Sequence, residues 1–286
     1  MASMRDIQRR KNSIQSTEQI TKAMKLVATV KLQKARQRAE ESKPYFDKMY
    51  ETVSSILQRS GNINNKYLKE NGSTKKAVIV ITGNRGLAGG YNTNITKLLT
   101  KDNNFKPEDV VVYNLGKKGK EILQRFGYEI KYDDSEVMNE PLYRDAMSLS
   151  ERVLTDYENG EFGELYIAYT VFKNTVSHIP TLLKIIPVSK DEGQVSGEDK
   201  LAIMNYEPNE DDALSLIIPK YVTSIIYGGI IEAVASENGA RMSAMDSATN
   251  NADEMIKDLG LLYNRARQSS ITQELTEIIA GAEAIS

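Results

Sequence analysis

Along the first sixty residues, apolar or small side chains fall at Met4, Ile7, Ile14, Ile20, Met24, Val27, Ala28, Ala35, Met49, Val53, Ile56 and Leu57. The steps are those of a helix, and no glycine appears before Gly61. Pro44 is expected to bend or interrupt this helix. A seven-residue frame through Ile7, Ile14, Thr21, Ala28, Ala35, Ser42, Met49 and Ile56 gives a narrow seam of small residues. Such a seam suits close packing against one other helix better than burial in a wide core.

The last third repeats the pattern. From Met242 onward, Met245, Ala248, Ala252, Met255, Ile256, Leu259, Leu262, Tyr263, Ala266, Leu275, Ile278 and Ile279 trace one stripe, and no proline follows Pro219. A helix over residues 211–282 would be on the order of 108 Å long, too long to bury its stripe inside one small domain. The N-terminal helix would measure roughly 80 Å, so the two ends are expected to form a long antiparallel coiled coil. The longer helix then overshoots by roughly 25 Å. Its tip, residues 271–286, is mostly apolar or small, with Glu274, Glu277 and Glu283 as its charges. An apolar tip is a liability in water and is better housed in a sleeve formed by other proteins.

Between these helices the pattern changes. Residues 61–74 read as a polar loop, and Ala77–Ile81 as a β-branched strand leading into the glycine-rich run Thr82–Gly90. Further strands are expected at Val110–Tyr113, Leu165–Tyr169 and Pro180–Val188. Helices are expected over Asn92–Leu99, from Gly116 through Phe126, and over Leu142–Thr155. The alternation predicts a small α/β, Rossmann-like domain with a mostly parallel sheet over residues 75–190. An acidic, flexible stretch, Asp191 to Asp212, follows. The fold class is therefore mixed α+β, with an N-terminal coiled-coil helix (1–60), the α/β domain (75–190) and a C-terminal coiled-coil helix (209–286).

Composition narrows the chemistry. The 286 residues carry a net charge of -2, which argues against polyanion binding by bulk field. With no cysteine and one histidine, His178, thiolate sites and histidine-rich metal sites are excluded. His178 reads as an ordinary structural or surface residue. The N-terminus lacks the apolar segment of a signal peptide, and no 18-residue apolar run stands out, so a cytosolic, non-spanning protein is expected. Gly83, Gly86, Gly89 and Gly90 follow a strand and precede a helix, where phosphate can bind, but their spacing matches neither G-x-x-x-x-G-K-[ST] nor G-x-G-x-x-G. A turn that lets backbone pack closely is the simpler reading. No carboxylate pair sits isolated in an apolar setting, so no catalytic, cofactor or metal site is expected. Residues 1–38 hold ten cations against Asp6 and Glu18, a local charge of +8 that would suit an acidic partner or nucleic acid. Aromatic residues for base stacking are missing there.

Several stretches resemble the gamma subunit, or central rotor shaft, of the bacterial F-type ATP synthase. They are Ile20–Ala28, Gly86–Gly90, Ser236–Met245 with Ala248, Thr249, Asn251 and Ala252, and Tyr263 with Asn264 and Arg267–Ile278. The resemblance spans nearly the full chain. It implies a non-catalytic subunit that transmits torque between an ion-driven c-ring and the catalytic beta subunits, peripheral on the cytoplasmic face of the membrane. It also implies alpha, beta, epsilon and c-ring partners, with no nucleic acid and with the membrane reached only through the c-ring. By similarity, Arg267 and Gln268 hydrogen-bond a beta-subunit loop, supported by Arg241, Thr272 and Glu274, while Met24 and Lys25 face an acidic beta loop. Tyr206 and Glu207 fall where the family's foot meets the c-ring and epsilon. Ala88 stands where many relatives carry cysteine, and the chloroplast insertion with its cysteine pair is absent, so thiol control does not carry over. Two rivals remain from residue patterns alone: a basic coiled-coil nucleic-acid-binding protein, and a nucleotide-binding α/β enzyme with helical arms.

Overall fold

The computed structural model describes residues 3–59, 65–68, 71–175, 177–188 and 210–283. Two long helices, α1 (Met4–Arg59) and α5 (Glu210–Glu283), flank a central sheet. The chain divides into two compact units, Met1–Ala28 with Met242–Ser286, and Thr29–Arg241, so both long helices contribute to each.

The first unit is a helix pair. On α1 the residues withdrawn from solvent are Met4, Ile7, Lys11, Ile14, Glu18, Thr21, Met24, Lys25 and Ala28. On α5 they include Met245, Thr249, Ala252, Ile256, Leu259, Tyr263 and Ala266. Both sets step by three and four, so the frame through Ile7, Ile14, Thr21 and Ala28 is the buried seam, as expected. The direction follows from the pairs: Thr21 bonds Thr249 through their hydroxyls at 2.8 Å, and Lys25 meets Asp246 at 2.5 Å. A Cβ on Gly260 would lie 3.9 Å from Lys11 Nζ. Paired residue numbers thus sum to 270 or 271, the signature of antiparallel helices.

The apolar stripe expected on α5 is not one surface. Met255 and Leu262 are 52% and 49% exposed, while Leu259 and Met245 are buried. A seam of small residues brings the helices close but is narrow, so apolar residues one position to its side miss it.

In the second unit, strands β1 (Lys76–Ile81), β2 (Val110–Leu115), β3 (Glu129–Asp134), β4 (Glu164–Phe172) and β5 (His178–Ile186) form a sheet in the order β3-β2-β1-β4-β5. Pairing is parallel except between β4 and β5. Helices α2 (Tyr91–Thr100) and α3 (Lys117–Arg125) cover one face, where Val78, Val80, Val110 and Val112 meet Ile95, Leu99 and Leu123. Ile79, Ile81, Tyr113 and Ile167 point the other way, onto α4 (Tyr143–Glu158), the end of α1 at Val53 and Ile56, and the start of α5. With both faces covered, β1 is fully buried from Ala77 to Ile81, which is why its sequence is uninterrupted hydrophobe.

Three expectations need correction. Strand β3 was not anticipated: its residues Glu-Ile-Lys-Tyr-Asp-Asp alternate between exposed and half-buried on a sheet edge, and only two are apolar. Pro44 does not end α1; it and Glu40, whose carbonyl loses its donor, face solvent, where water can satisfy that carbonyl. α5 does contain an apolar window of membrane-spanning length, with mean hydropathy 1.5 over 18 residues, but 56% of it is buried in the fold. Leu214, Ile218, Val222, Ile226 and Ile230 of α5 are core residues at 0–1% exposure.

Candidate functional site: the end of the C-terminal helix

Antiparallel pairing at a constant sum places the start of α1, Met4, opposite residue 267 or so of α5. Tyr263 accordingly shares a groove with Met4, Arg5 and Gln8. Beyond Ser270 every described residue through Ala282 is exposed. Ile271, Leu275, Ile278 and Ile279 are 49%, 55%, 68% and 60% exposed. At about 100° per residue, these four together with Arg267, Gln268, Thr272 and Glu274 fall within an arc of roughly 160°. Ser269, Gln273, Thr276, Glu277 and Ala280 make up the opposite face. The segment is thus an amphipathic helix whose apolar face also carries one arginine, one amide, one hydroxyl and one carboxylate.

Local bonds hold these groups in helical geometry. The Thr272 hydroxyl donates to the Gln268 carbonyl at 2.9 Å, Ser270 Oγ donates to Glu274 Oε1 at 3.3 Å, and Thr276 donates to the Thr272 carbonyl at 2.8 Å. Burying a leucine or isoleucine is worth about 1.5–3 kcal/mol, so four such side chains left in water forgo several kcal/mol that a partner surface would recover.

Met24 and Lys25 lie further along the same unit and are half-buried. Lys25 is held by Asp246 at 2.5 Å, with both side chains still about two-fifths to one-half exposed. The N-terminal surplus of positive charge is met inside this unit: residues 1–28 and 242–286 hold nine cations and nine carboxylates. Lys22 shows the effect, its pKa raised by its bond to Glu18 and by the charges of Glu18 and Asp253.

Arg241 belongs to the other unit and does not join this group. Its guanidinium meets Glu237 at 2.5 Å and reaches the carbonyls of Arg85 and Gly86 at 3.5 and 3.4 Å, leaving the side chain 12% exposed. It braces the glycine-rich run Thr82–Gly90 after β1. There the Gly83 N–H donates to Asn92 Oδ1 at 2.8 Å, and a Cβ on Gly83 would sit 2.6 Å from the Glu237 carboxyl. The space at the carboxyl end of β1 is filled by the chain's own carboxylate, which favours the close-packing turn over a phosphate cradle. Glu237 was not singled out from sequence, although Glu237 and Arg241 one turn apart are a helix ion-pair signal. His178 packs beside the Phe172 ring at 5.9 Å, its pKa lowered by burial, as a structural residue of β5.

A family model described as ATP synthase matches residues 3–285. The chain is 62% identical to the ATP synthase gamma chain of Lachnoclostridium phytofermentans over the full length of both. The chain belongs to the ATP synthase gamma chain family. It is 41% identical to the "ATP synthase gamma chain, sodium ion specific" of Acetobacterium woodii, over 99% of this chain and 98% of that one. It is 38% identical to a Staphylococcus aureus ATP synthase gamma chain over the whole of both. In fold it is similar to a chain in the Euglena gracilis mitochondrial ATP synthase OSCP/F1/c-ring assembly, at TM-score 0.69 and 18% identity, covering 99% of this chain and 94% of that one. It is also similar to a chain of the Tetrahymena thermophila central stalk and c-ring, at TM-score 0.59 and 20% identity, over 80% of this chain and 99% of that one.

Membership makes the chain a central stalk rotor subunit, a non-catalytic part of the F-type ATP synthase concerned with ATP synthesis and ion transport. The assembly is membrane-associated. Tyr206 and Glu207, expected at the c-ring and epsilon contact, lie outside the described residues, as does the stretch 191–209.

Proposed function

We propose that the chain transmits torque from an ion-driven c-ring to the three catalytic beta subunits by turning the α1–α5 helix pair inside the ring of alpha and beta subunits. The observation that carries this reading is the exposed end of α5, where Arg267, Gln268, Thr272 and Glu274 share a face with four large apolar side chains. An apolar face with a few fixed polar groups is what a partner needs for both affinity and angular register. The helix pair is not cylindrically symmetric, so each beta subunit meets a different face at a given angle. Nucleotide affinity then follows angle through contacts that differ between states, a coupling free energy between rotor and site.

In this scheme Arg267 and Gln268 bond a beta-subunit loop, with Thr272 and Glu274 in support, and Met24 and Lys25 face an acidic beta loop, while Arg241, held by Glu237, braces the glycine-rich run instead. Lys25 is suited to exchange between Asp246 and such a loop, because its ion pair is half-exposed and a pair of that kind contributes only about 0–1 kcal/mol. Tyr206 and Glu207 supply the contact to the c-ring and epsilon. The working parts are the helices 1–60 and 209–286 and the α/β domain 75–190, on the cytoplasmic face of the bacterial membrane and reaching it only through the c-ring. The balance of nine cations and nine carboxylates in the helix-pair unit speaks against nucleic acid as the partner.

The test is Arg267→Ala in the assembled complex. Removing one charge-assisted bond, worth about 1.5–3 kcal/mol, should lower ATP hydrolysis by about ten- to a hundredfold without lowering the melting temperature of the free chain. An unaltered rate would remove Arg267 from the proposed contact.

A further inference from the structure

The cations that follow Ala28 on α1 belong to the α/β unit. Lys31, Lys34 and Arg38 line a 340 Å³ cavity there, together with Arg85 of the glycine-rich run and Arg241 of α5. Its two carboxylates are already matched. Glu140 is met by Arg38 at 3.4 Å and Glu237 by Arg241 at 2.5 Å. Lys31, Lys34 and Arg85 have no ion-pair partner among the described residues. Lys31 and Lys34 are three residues apart on one helix, a spacing at which like charges repel. A chain with net charge -2 thus concentrates three uncompensated cations on one concavity, with Met138, Pro141, Ile231 and Val234 as its apolar wall.

We propose that this cavity binds a compact diphosphate anion, either inorganic pyrophosphate or the diphosphate of a nucleotide. The volume lies near the lower end of the roughly 300–1,000 Å³ typical of small-ligand pockets, too small for a folded partner element but ample for two phosphate groups. A diphosphate places two to three negative charges within a few ångströms, whereas a peptide spreads one carboxylate per residue. The guanidinium of Arg85 offers a planar fork that matches phosphate oxygens, and the two lysines supply mobile point charges. The inference is independent of the rotor reading, since it uses neither the exposed end of α5 nor the helix-pair seam. Binding would draw α1 and the glycine-rich run together by neutralising the charges that now repel.

Calorimetric titration of the full chain at low ionic strength tests this, with inorganic pyrophosphate, ADP, sulfate and hexaglutamate as separate injectants. Saturable one-site binding of pyrophosphate or ADP is expected, weakened at least tenfold by Arg85→Gln and by Lys31→Gln/Lys34→Gln, and weakened by added salt. Equal affinities for pyrophosphate and ADP would identify the diphosphate alone as the recognised group, and tighter ADP would add the nucleoside. Arg85 is exposed, so its variant keeps the test valid if the double lysine variant fails to fold. Absence of saturable binding, unchanged affinity in the Arg85 variant, equal binding of sulfate, or tighter binding of hexaglutamate would each overturn the proposal.

Discussion

Gly83 and Glu237 show how one missing side chain fixes a loop. Only hydrogen fits at Gly83 because the Glu237 carboxyl lies 2.6 Å from where a Cβ would stand, and Glu237 is itself pinned by Arg241. Gly83→Ala should therefore cost about 1–3 kcal/mol in denaturant unfolding. Gly83→Ala combined with Glu237→Ala should cost less than the two single changes together, because the clash exists only when both groups are present. Strict additivity would mean that the contact does not constrain the loop. Glu232, also on α5, carries a carboxyl whose pKa is raised by burial against a weaker opposing bond from the Phe172 backbone, and its Oε2 has no partner. A raised folded-state pKa means that stability is fully present below the ordinary value of 4.5 and falls as pH climbs through the folded value. Glu232→Gln should accordingly raise the melting temperature at pH 8 and lose that advantage by pH 4. An equal gain at both pH values would contradict the assignment.

At the scale of elements, the seam of the helix pair rests on small side chains and one buried polar contact, the hydroxyls of Thr21 and Thr249 at 8% and 5% exposure. Thr21→Val alone should destabilise the pair by about 1 kcal/mol, since it removes the cross-helix partner of the buried Thr249 hydroxyl and leaves that hydroxyl only the Met245 carbonyl. Changing both to valine should cost less than the sum, as measured by thermal unfolding. The seam was legible beforehand because Ile7, Ile14, Thr21 and Ala28 recur every seven residues, and helix period is the strongest signal a chain carries. The central strands β1, β2 and β4 were legible for a related reason: burial on both faces demands unbroken runs such as Ala77–Ile81. What escaped notice depends on neighbours. Glu-Ile-Lys-Tyr-Asp-Asp becomes β3 only because β2 offers it an edge. Met255 and Leu262 looked like seam residues, yet the turn of the helix sets them outside it. Within the candidate site, Arg267, Gln268, Thr272 and Glu274 stand out through family resemblance and not through periodicity or spacing. Their common face with Ile271, Leu275, Ile278 and Ile279 follows from helical spacing once the end of pairing is known. Arg241 joins a different cluster because the carboxylate that captures it, Glu237, lies one turn back on its own helix.

For the whole molecule, the proposed rotor role divides α5 between folding and function. Leu214, Ile218, Val222, Ile226 and Ile230 are buried in the core beside the sheet, Met245 through Ala266 close on α1, and residues 271–282 are exposed, which under the proposed role leaves them for contacts outside the chain. Charge follows the same division, with the helix-pair unit neutral and unmatched cations gathered at one cavity of the α/β unit. The most direct measurement is to end the chain after Ser270, reassemble the complex, and compare ATP-driven ion pumping with thermal unfolding of the free chain. Pumping should fall severalfold or more while the unfolding midpoint stays within about 1 °C, because exposed residues contribute little to folding. Unchanged pumping, or a midpoint lowered by several degrees, would contradict the account.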